Sequence, residues 1–180
     1  MKVNETGFRG LYLIEPDVFA DARGYFFESW NKERFTRYGL ELDFVQDNES
    51  MSGANVLRGL HFQLPPWEQG KLVRVIRGSA LDVVVDLRKN ESTFGKNYKV
   101  VLSAEEKKLL WIPPGFAHGF LTLKDNTIFS YKCTQLYNRK SEMALAWNDP
   151  DLAIDWGISD PIVSEKDKSA GSFRNFNSPF

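Results

Sequence analysis

Residues 71–88 read KLVRVIRGSALDVVVDLR, and the pattern of this stretch decides the fold class. From Leu81 to Arg88, two sets of residues alternate at a period of two, which is typical of a β-strand. The first set is Leu81, Val83, Val85 and Leu87, and the second is Asp82, Val84, Asp86 and Arg88. The preceding segment Lys71–Arg77 also has the composition of a strand. Gly78 and Ser79 lie between the two segments and form a turn signal. The stretch therefore predicts a β-hairpin.

Further short extended segments lie on both sides of this stretch at near-regular spacing. In chain order they are Leu11–Glu15, Tyr25–Ser29, Phe44–Asn48, Val56–Phe62, Tyr98–Leu102, Lys108–Ile112, Phe116–Leu123 and Ile128–Thr134. The turn-like Asp21–Gly24 is predicted to join the first two. One convincing helix is predicted at Asn31–Tyr38, with Asn31 as its N-cap and Gly39 as its end. Many short strands with one helix predict an all-β sandwich or barrel.

Length and composition predict one ordinary globular domain over residues 1–180. The 23 basic and 24 acidic residues nearly cancel, which argues against a nucleic-acid partner. The single cysteine, Cys133, excludes an intramolecular disulfide and a thiolate zinc site. No apolar stretch approaches the ~18 residues of a membrane span, and the first residues contain no apolar signal segment. We therefore expect a cytoplasmic protein without a membrane partner. The polar, aromatic segment after Ser164 is expected to lie across the barrel as a cover.

The two histidines, His61 and His118, are the first candidates for chemistry. Each lies in an apolar, glycine-flanked extended segment, where a lone histidine is as easily structural as functional. If Val56–Phe62 is a regular strand, His61 shares a face with Gly59 while Arg58 points to the other face. Arg58 and His61 could then share a site only across a bulge or a subunit interface.

Each of the other candidate residues can be explained by an ordinary structural role as well as by a functional one. Arg23, Arg58 and Lys71 would suit a diphosphate if they converged, since guanidinium groups match phosphate oxygens. Tyr131, Tyr137 and Asp167 suit packing or a turn as well as a site. No His-x-His pair is present, which disfavours a metal centre. The glycines of residues 53–59 lack a Gly-x-Gly core, so a bound nicotinamide is not expected.

Taken in order, several segments resemble the dTDP-4-dehydrorhamnose 3,5-epimerase family over nearly the whole chain. They are Phe19-x-Asp21-x-Arg23-Gly24-x-Phe26-x-Glu28-Ser29, Phe44-Val45-Gln46-Asp47-Asn48, Leu57-Arg58-Gly59-Leu60-His61-Phe62-Gln63, Gln69-Gly70-Lys71-Leu72-Val73, Trp111-Ile112-Pro113-x-Gly115-Phe116-Ala117-His118-Gly119-Phe120, Tyr131-Lys132, Trp147-Asn148-Asp149-Pro150 and Ser164-x-Lys166-Asp167. Each segment alone is weak, but their common order makes a chance match improbable.

The resemblance implies a jelly-roll barrel of the cupin type, with no metal or other cofactor. It implies a homodimer that shares strands across its interface. The implied substrate is a dTDP-4-keto-6-deoxyhexose, epimerised at C3 and C5 to give the precursor of dTDP-rhamnose.

The resemblance also implies roles for individual residues. His61 matches the general base, Asp167 the carboxylate that orients it, Lys71 the cation beside the C4 oxyanion, and Tyr131 the proton donor. A phenol pKa of ~10 is high for this task, so we expect the pocket to lower it or solvent to resupply the proton. The implied substrate contacts are Phe19, Arg23, Phe26, Glu28, Gln46, Asn48, Arg58, His118 and Tyr137, in part from the partner chain.

Three alternatives stay open at this point. A relative that epimerises only C3 or only C5 would keep the same base and acid. A metal-dependent barrel enzyme would need a cluster of three or four ligands. A sugar-binding jelly roll without catalysis would bind a nucleotide sugar and tolerate replacement of His61.

Overall fold

The computed structural model describes residues 1–180 and is built almost entirely of antiparallel strands. The strands are β1 Lys2–Glu5, β2 Tyr12–Glu15, β3 Phe19–Asp21, β4 Gly24–Phe26, β5 Gln46–Ser52, β6 Val56–Gln63, β7 Lys71–Arg77, β8 Ser79–Asp86, β9 Asn97–Ser103, β10 Leu109–Ile112, β11 Phe116–Thr122, β12 Thr127–Cys133, β13 Glu142–Ala144 and β14 Ile162–Val163. Two short α-helices, α1 Lys32–Thr36 and α2 Glu165–Lys168, and a 3₁₀ helix at Phe173–Asn175 complete the fold. Neither α-helix has the length and hydrophobicity that a membrane-spanning helix requires.

Eight of these strands pair in a nested order, from the inside of the sequence outward. β8 pairs with β9, β7 with β10, β6 with β11 and β5 with β12. Successive pairs alternate between two sheets, whose orders are β1-β2-β10-β7-β12-β5 and β13-β6-β11-β8-β9. This arrangement is the jelly roll, and the predicted all-β fold class is confirmed.

The predicted hairpin between Lys71–Arg77 and Leu81–Arg88 is wrong. Both segments are strands, but β7 and β8 lie in different sheets, and the true partner of β8 in a hairpin is β9. Gly78 turns the chain from one sheet to the other with a φ of 78°. A Cβ atom at this glycine would lie 2.4 Å from Oγ1 of Thr127. A two-residue glycine turn between apolar strands serves a sheet-to-sheet corner as well as a hairpin, and its sequence does not distinguish them.

The turn at Asp21–Gly24 also joins a different pair of strands from the one predicted. It connects the short strands β3 and β4, while β2 pairs with β1 and β10. The second of the predicted strands ends at Phe26 rather than at Ser29. The helix prediction is confirmed in its essentials, since Oδ1 of Asn31 accepts a hydrogen bond from the N–H of Arg34 at 3.0 Å. Strands β3 and β4 thus form a separate small hairpin, which the sequence pattern had merged with β2.

Apolar packing covers both faces of each sheet. Between the sheets, Phe120 stacks on Phe129 at a centroid distance of 4.0 Å within the inner core. Phe35 of α1 packs on the outer face of the first sheet. On the outer face of the second sheet, Phe62 packs against Phe176 of the C-terminal segment. Double coverage explains why β8 is buried along nearly its whole length rather than on alternate residues.

We predict that Gly78→Ala destabilises the fold more than Gly39→Ala, which serves as its matched control. Both glycines have a φ near 78°, but a Cβ at Gly39 meets no atom within 4 Å. Gly39→Ala should lower the free energy of unfolding by about 1–2 kcal/mol, only because alanine is disfavoured in the left-handed conformation. Gly78→Ala adds overpacking against Thr127 and should cost roughly 1–3 kcal/mol more. Urea unfolding measures both variants, and equal losses would show that the corner is not tightly packed.

Candidate active site

A cavity of about 440 Å³ opens between the two sheets. It brings together six of the residues singled out in the sequence: Arg58 and His61 of β6, Lys71 of β7, His118 of β11, Tyr131 of β12 and Asp167 of α2. Lys71 and Tyr131 belong to one sheet, whereas Arg58, His61 and His118 belong to the other. Groups from facing sheets can therefore act on the two sides of one bound molecule.

His61 and Asp167 form the closest polar pair in this cavity. Nε2 of His61 lies 2.6 Å from Oδ1 of Asp167, although the two residues are far apart in sequence. Asp167 is 3% exposed, and its other carboxylate oxygen accepts the backbone N–H of Gly59 at 3.4 Å. If Nε2 carries the proton toward the carboxylate, Nδ1 keeps a free lone pair. This arrangement makes the imidazole a base with a fixed orientation.

The Asp167 carboxylate is held in its ionised form. Burial raises its pKa, but hydrogen bonds from His61, from the Gly59 backbone and at Ser164 outweigh burial and bring the pKa below its usual value. Ser164 also caps α2, since its Oγ accepts the N–H of Asp167 at 3.1 Å. An ionised, buried carboxylate beside the imidazole stabilises the imidazolium that forms when His61 takes up a proton.

A bulge places Arg58 in the same cavity as His61. In the pairing of β6 with β11, His61 faces His118 and Arg58 faces Phe120, so three steps on β6 match two steps on β11. The extra residue on β6 brings Arg58 to the same face of the strand as His61, whereas regular alternation would place the two residues on opposite faces. The bulge needs two glycines. A Cβ on Gly59 would lie 2.5 Å from the Cα of Gly119, and a Cβ on Gly119 would lie 2.8 Å from the Arg58 carbonyl oxygen.

The cavity contains two cationic side chains without an acidic partner. Nε and Nη2 of Arg58 donate to Oγ of Ser52 at 3.2 and 3.0 Å, and no carboxylate lies within ion-pair distance. Lys71 forms no ion pair, and burial lowers its pKa, against the opposing influence of Cys133, Asp82 and Glu142. Cations without partners in a cavity favour an anionic ligand or a developing negative charge.

Tyr131 lies on the wall opposite His61. Burial raises its pKa, with a smaller opposing effect of Arg58. Burial thus acts against a lowered pKa, and the phenol keeps its proton. Of the two expected possibilities for a donor at Tyr131, this direction favours resupply of its proton from solvent.

His118 forms a second histidine–carboxylate pair. Its Nε2 lies 3.0 Å from Oδ2 of Asp82, which is fully buried, and the ring packs beside Phe120 and Phe129. No group of three or more His, Cys, Asp and Glu side chains is arranged to hold a metal ion.

A smaller cavity of about 130 Å³ adjoins the first and shares His61, Lys71 and Tyr131 with it. Its further walls include Gln46, Asn48, Gln69, Tyr137 and Glu142. Amide groups dominate this space: Nε2 of Gln46 donates to Asn48 at 3.0 Å, and its Oε1 accepts the backbone N–H of Tyr137 at 2.8 Å. Such groups offer the paired donors and acceptors that a planar heterocyclic base requires.

Four of the predicted site residues line neither of these two cavities. Phe19, Arg23 and Phe26 line a depression on the β3–β4 hairpin, and Arg23 is paired with Asp21 at 2.5 Å. Glu28 accepts a hydrogen bond from Asn31 at 2.6 Å and pairs with Arg34. The basic set Arg23, Arg58 and Lys71 therefore does not converge within one chain.

Sequence reasoning missed Glu142 and Lys166. Their side chains form an ion pair of 2.6 Å at the edge of the site, and the Tyr137 hydroxyl donates to Glu142 at 2.8 Å. Lys166 could have been noticed as the neighbour of Asp167. Glu142 gave no signal, because a single carboxylate at the start of the three-residue strand β13 has no pattern that marks it.

Comparison with known proteins identifies the relatives of this chain. Residues 5–175 match the sequence profile of the family described as dTDP-4-dehydrorhamnose 3,5-epimerase. The chain belongs to the dTDP-4-dehydrorhamnose 3,5-epimerase family. A dTDP-4-dehydrorhamnose 3,5-epimerase of Methanothermobacter thermautotrophicus is 53% identical over 168 residues, which cover 92% of this chain and 90% of that protein.

Solved structures of the dTDP-4-dehydrorhamnose 3,5-epimerase family have the same fold. The enzyme of Elizabethkingia anophelis is 49% identical, with a TM-score of 0.93 over 97% of each chain. The dTDP-6-deoxy-D-glucose-3,5-epimerase of Legionella pneumophila, solved in complex with dTDP-4-keto-L-rhamnose, is 43% identical, with a TM-score of 0.93 over 98% of this chain and 94% of that one.

We predict that Asp167 contributes pH-dependent stability. Its pKa is lower in the folded protein than in the unfolded chain, so its contribution is complete above about pH 4 and is lost as the pH falls through the folded-state pKa. The difference in unfolding free energy between wild type and Asp167→Asn should therefore shrink on acidification. Urea unfolding from pH 6 to pH 3 measures it. The exposed Glu165→Gln serves as control, and a pH-independent difference for Asp167→Asn would contradict the assignment.

Proposed function

We propose that the protein is a dTDP-4-dehydrorhamnose 3,5-epimerase that converts dTDP-4-keto-6-deoxy-D-glucose to dTDP-4-keto-L-rhamnose with no metal or other cofactor. The observation that carries the proposal is the arrangement around one cavity: His61 of one sheet, paired with Asp167 of α2, faces Tyr131 and Lys71 of the other sheet. Inversion of a carbon needs a base and an acid on opposite sides of the sugar, and the facing sheets supply one of each.

The proposed base is His61. C3 and C5 both adjoin the C4 ketone, so loss of either proton gives an enolate. Nδ1 of His61 takes the proton, and the ionised Asp167 stabilises the resulting imidazolium through the 2.6 Å hydrogen bond. One base can serve both carbons in turn if the sugar ring shifts between the two abstractions.

Lys71 is proposed to stabilise the enolate oxygen. Its half-buried side chain has no carboxylate partner, so a negative charge that forms on O4 is not in competition with an existing ion pair. Preorganised charge in a site shielded from water stabilises the transition state more than the same charge would in solution. The protonated Tyr131 then returns a proton from the opposite side.

The remaining cavity residues are proposed to bind the nucleotide. The Arg58 guanidinium group donates to Ser52 but has no carboxylate partner, so it can bind the diphosphate or the sugar, and His118 lies against the same space. The amide-rich cavity of Gln46, Asn48 and Tyr137 suits the nucleoside part. This assignment places the sugar at His61, where the two cavities meet.

A homodimer would complete the site. Phe19 and Phe26 are 62% and 65% exposed on the β3–β4 hairpin, and the side chain of Arg23 is 91% exposed. Large aromatic side chains that are exposed side by side on the surface are typical of an interface with another chain. Strand β5 lies at the edge of its sheet with one neighbour, β12, and is free to pair further. We propose that a two-fold dimer brings the hairpin of one chain, with Glu28, to the cavity of its partner.

We propose that residues 1–180 form one jelly-roll domain with a C-terminal cover. We also propose that the protein is cytoplasmic, since a buried free thiol at Cys133 suits a reducing compartment. The product is a 4-keto sugar nucleotide, so a ketone reductase must consume it to yield dTDP-L-rhamnose.

Proton NMR of dTDP-4-keto-6-deoxyglucose with the protein in D2O tests the function. Deuterium should enter at both C3 and C5, and a coupled reductase should trap the rhamno product. Label at one carbon alone would identify a mono-epimerase. Absence of label despite nucleotide binding would contradict catalysis on this sugar.

Two variants separate the proposed base from the proposed acid. We expect His61→Ala to reduce deuterium entry by at least about 100-fold, because general base catalysis contributes this much or more. Tyr131→Phe keeps the packed ring and should slow formation of the inverted product more than loss of the first proton. NMR follows both rates in one sample. Near-normal exchange in His61→Ala, or equal loss of both steps in Tyr131→Phe, would contradict the respective roles.

Mixing two impaired variants tests whether Arg23 acts on the partner chain. Arg23→Ala should weaken dTDP binding by roughly 10-fold, the size of one lost charge-assisted hydrogen bond. Mixed dimers of Arg23→Ala with His61→Ala would contain one complete site if Arg23 acts across the interface. Activity at low substrate should therefore rise on mixing. No recovery in a mixture that demonstrably exchanges subunits would place Arg23 in its own chain's site.

A further inference from the structure

One carboxylate of the barrel interior lacks the partners that a buried carboxylate normally has. Asp82 of β8 is fully buried, and it lies opposite Phe120 of the inner core in the pairing of β8 with β11. Its Oδ2 lies 3.0 Å from Nε2 of His118, whereas its Oδ1 is buried without any hydrogen-bond partner. A buried carboxylate that is only half satisfied costs stability, so the fold alone does not account for Asp82.

Asp86, four residues further along β8, shows the opposite situation. It is equally buried. Its Oδ1 accepts hydrogen bonds from the backbone N–H and Nε of Arg88 at 3.0 and 2.8 Å. Its Oδ2 accepts hydrogen bonds from Nη2 of Arg88 at 2.7 Å and from the Thr93 hydroxyl at 2.6 Å. Both oxygens of Asp86 are thus satisfied by neighbouring residues, as those of a structural carboxylate are.

The single partner of Asp82 lies beside the proposed base. His118 is opposite His61 in the pairing of β11 with β6, and residues paired in this way project from the same face of a sheet, about 5 Å apart. Both rings line the large cavity. In each ring Nε2 lies against a buried carboxylate, and Nδ1 forms no hydrogen bond within the protein. The cavity wall thus presents two imidazoles with the same nitrogen left for a ligand.

We propose that Asp82 is a positioning residue, which holds the proton of His118 on Nε2 and so leaves Nδ1 as the acceptor for a hydroxyl group of the bound sugar. A carboxylate bound to one nitrogen of a histidine ring fixes the tautomer and the orientation of the ring. The cations of the same cavity, Arg58 and Lys71, can only donate hydrogen bonds. An acceptor at Nδ1 therefore adds a means to orient the sugar. The inference rests on the proposed function, in which the sugar lies at His61.

Asp82 also affects Lys71, and this second effect must be separated from the first. Burial lowers the pKa of the Lys71 ammonium group, and the opposing influences on this pKa come from Cys133, Asp82 and Glu142. Loss of Asp82 would therefore act on two side chains of the site at once. In a variant without His118, only the effect through Lys71 remains.

Asp82→Asn tests the proposal, with Asp86→Asn as the matched control. An asparagine amide can donate to Nε2, which moves the ring proton of His118 to Nδ1 and removes the acceptor. We expect kcat/KM for deuterium entry to fall by about 10-fold or more in Asp82→Asn, as it does when the outer partner of a functional histidine is lost. Asp86→Asn should leave kcat/KM unchanged. Binding of dTDP, which has no sugar beyond its nucleoside, should be the same in both variants, and weaker dTDP binding in Asp82→Asn would show that His118 contacts the diphosphate instead.

Stability should respond in the opposite sense to activity. Asp86→Asn weakens a satisfied set of hydrogen bonds and should lower the urea midpoint. Asp82→Asn removes a half-satisfied carboxylate from the core and should leave the midpoint unchanged or raise it. A midpoint that falls in Asp82→Asn as far as in Asp86→Asn, with normal kcat/KM, would make Asp82 a structural carboxylate and overturn the proposal.

A measurement without substrate keeps this test separate from the proposed function. Long-range nitrogen–proton NMR spectra of the histidine rings identify the tautomer of each. His118 should carry its proton on Nε2 in wild type and in Asp86→Asn, but on Nδ1 in Asp82→Asn. If the tautomer responds as expected but wild type shows no epimerisation, the proposed function fails while the positioning role stands. An unchanged tautomer in Asp82→Asn would contradict the positioning role.

The variant His118→Phe guards against loss of folding in Asp82→Asn. It keeps a packed ring but leaves Asp82 in the core without a partner, so the urea midpoint should fall, and the double variant should recover it. The double variant should have the same kcat/KM as His118→Phe, since Asp82 acts through His118. A further loss of kcat/KM in the double variant would show that Asp82 acts through Lys71, and the proposal would be wrong.

Discussion

Strands β6 and β11 approach each other so closely at Gly59 and Gly119 that neither position can hold a side chain. The site depends on this contact. It creates the bulge that turns Arg58 toward the cavity that contains His61, and it leaves the Gly59 backbone N–H free to bind Asp167. A regular strand pairing would place Arg58 on the outside of the sheet. Two glycines thus determine which charged groups can reach a bound molecule.

The jelly roll adds a second condition, because its nested pairing alternates between sheets. His61 lies on β6 with Asp167 of α2 beside it, whereas Tyr131 and Lys71 lie on β12 and β7. A barrel of this type separates groups of opposite function by the width of its interior. The proposed chemistry requires such separation, since removal and return of a proton must occur on opposite sides of one carbon.

Local sequence patterns predicted the positions of the strands and of the helix well, but they predicted poorly which strands pair with each other. The strands from β5 to β12 and the N-cap at Asn31 followed from periodicity and turn residues. The partner of β8 did not, because Gly78 marks a corner in the same way as it would mark a hairpin. His61, Lys71, Tyr131 and Asp167 were found through the resemblance of ordered motifs, and the cavity brings them together. Glu142 could not be found, because its contacts with Lys166 and Tyr137 join three segments that meet only in the fold.

Nested pairing has a consequence for how the chain is made. Strand β5 is synthesised long before its partner β12, and the apolar cluster on the outer face of β8 is completed by residues that follow β12, from Leu145 to Phe180. During translation the chain must therefore carry uncovered strand edges and apolar faces until nearly all of it has left the ribosome. Long-range pairing of this kind slows folding and lengthens exposure to aggregation. The hairpin β8–β9 is the one barrel pair available early, which makes it the natural starting point for assembly.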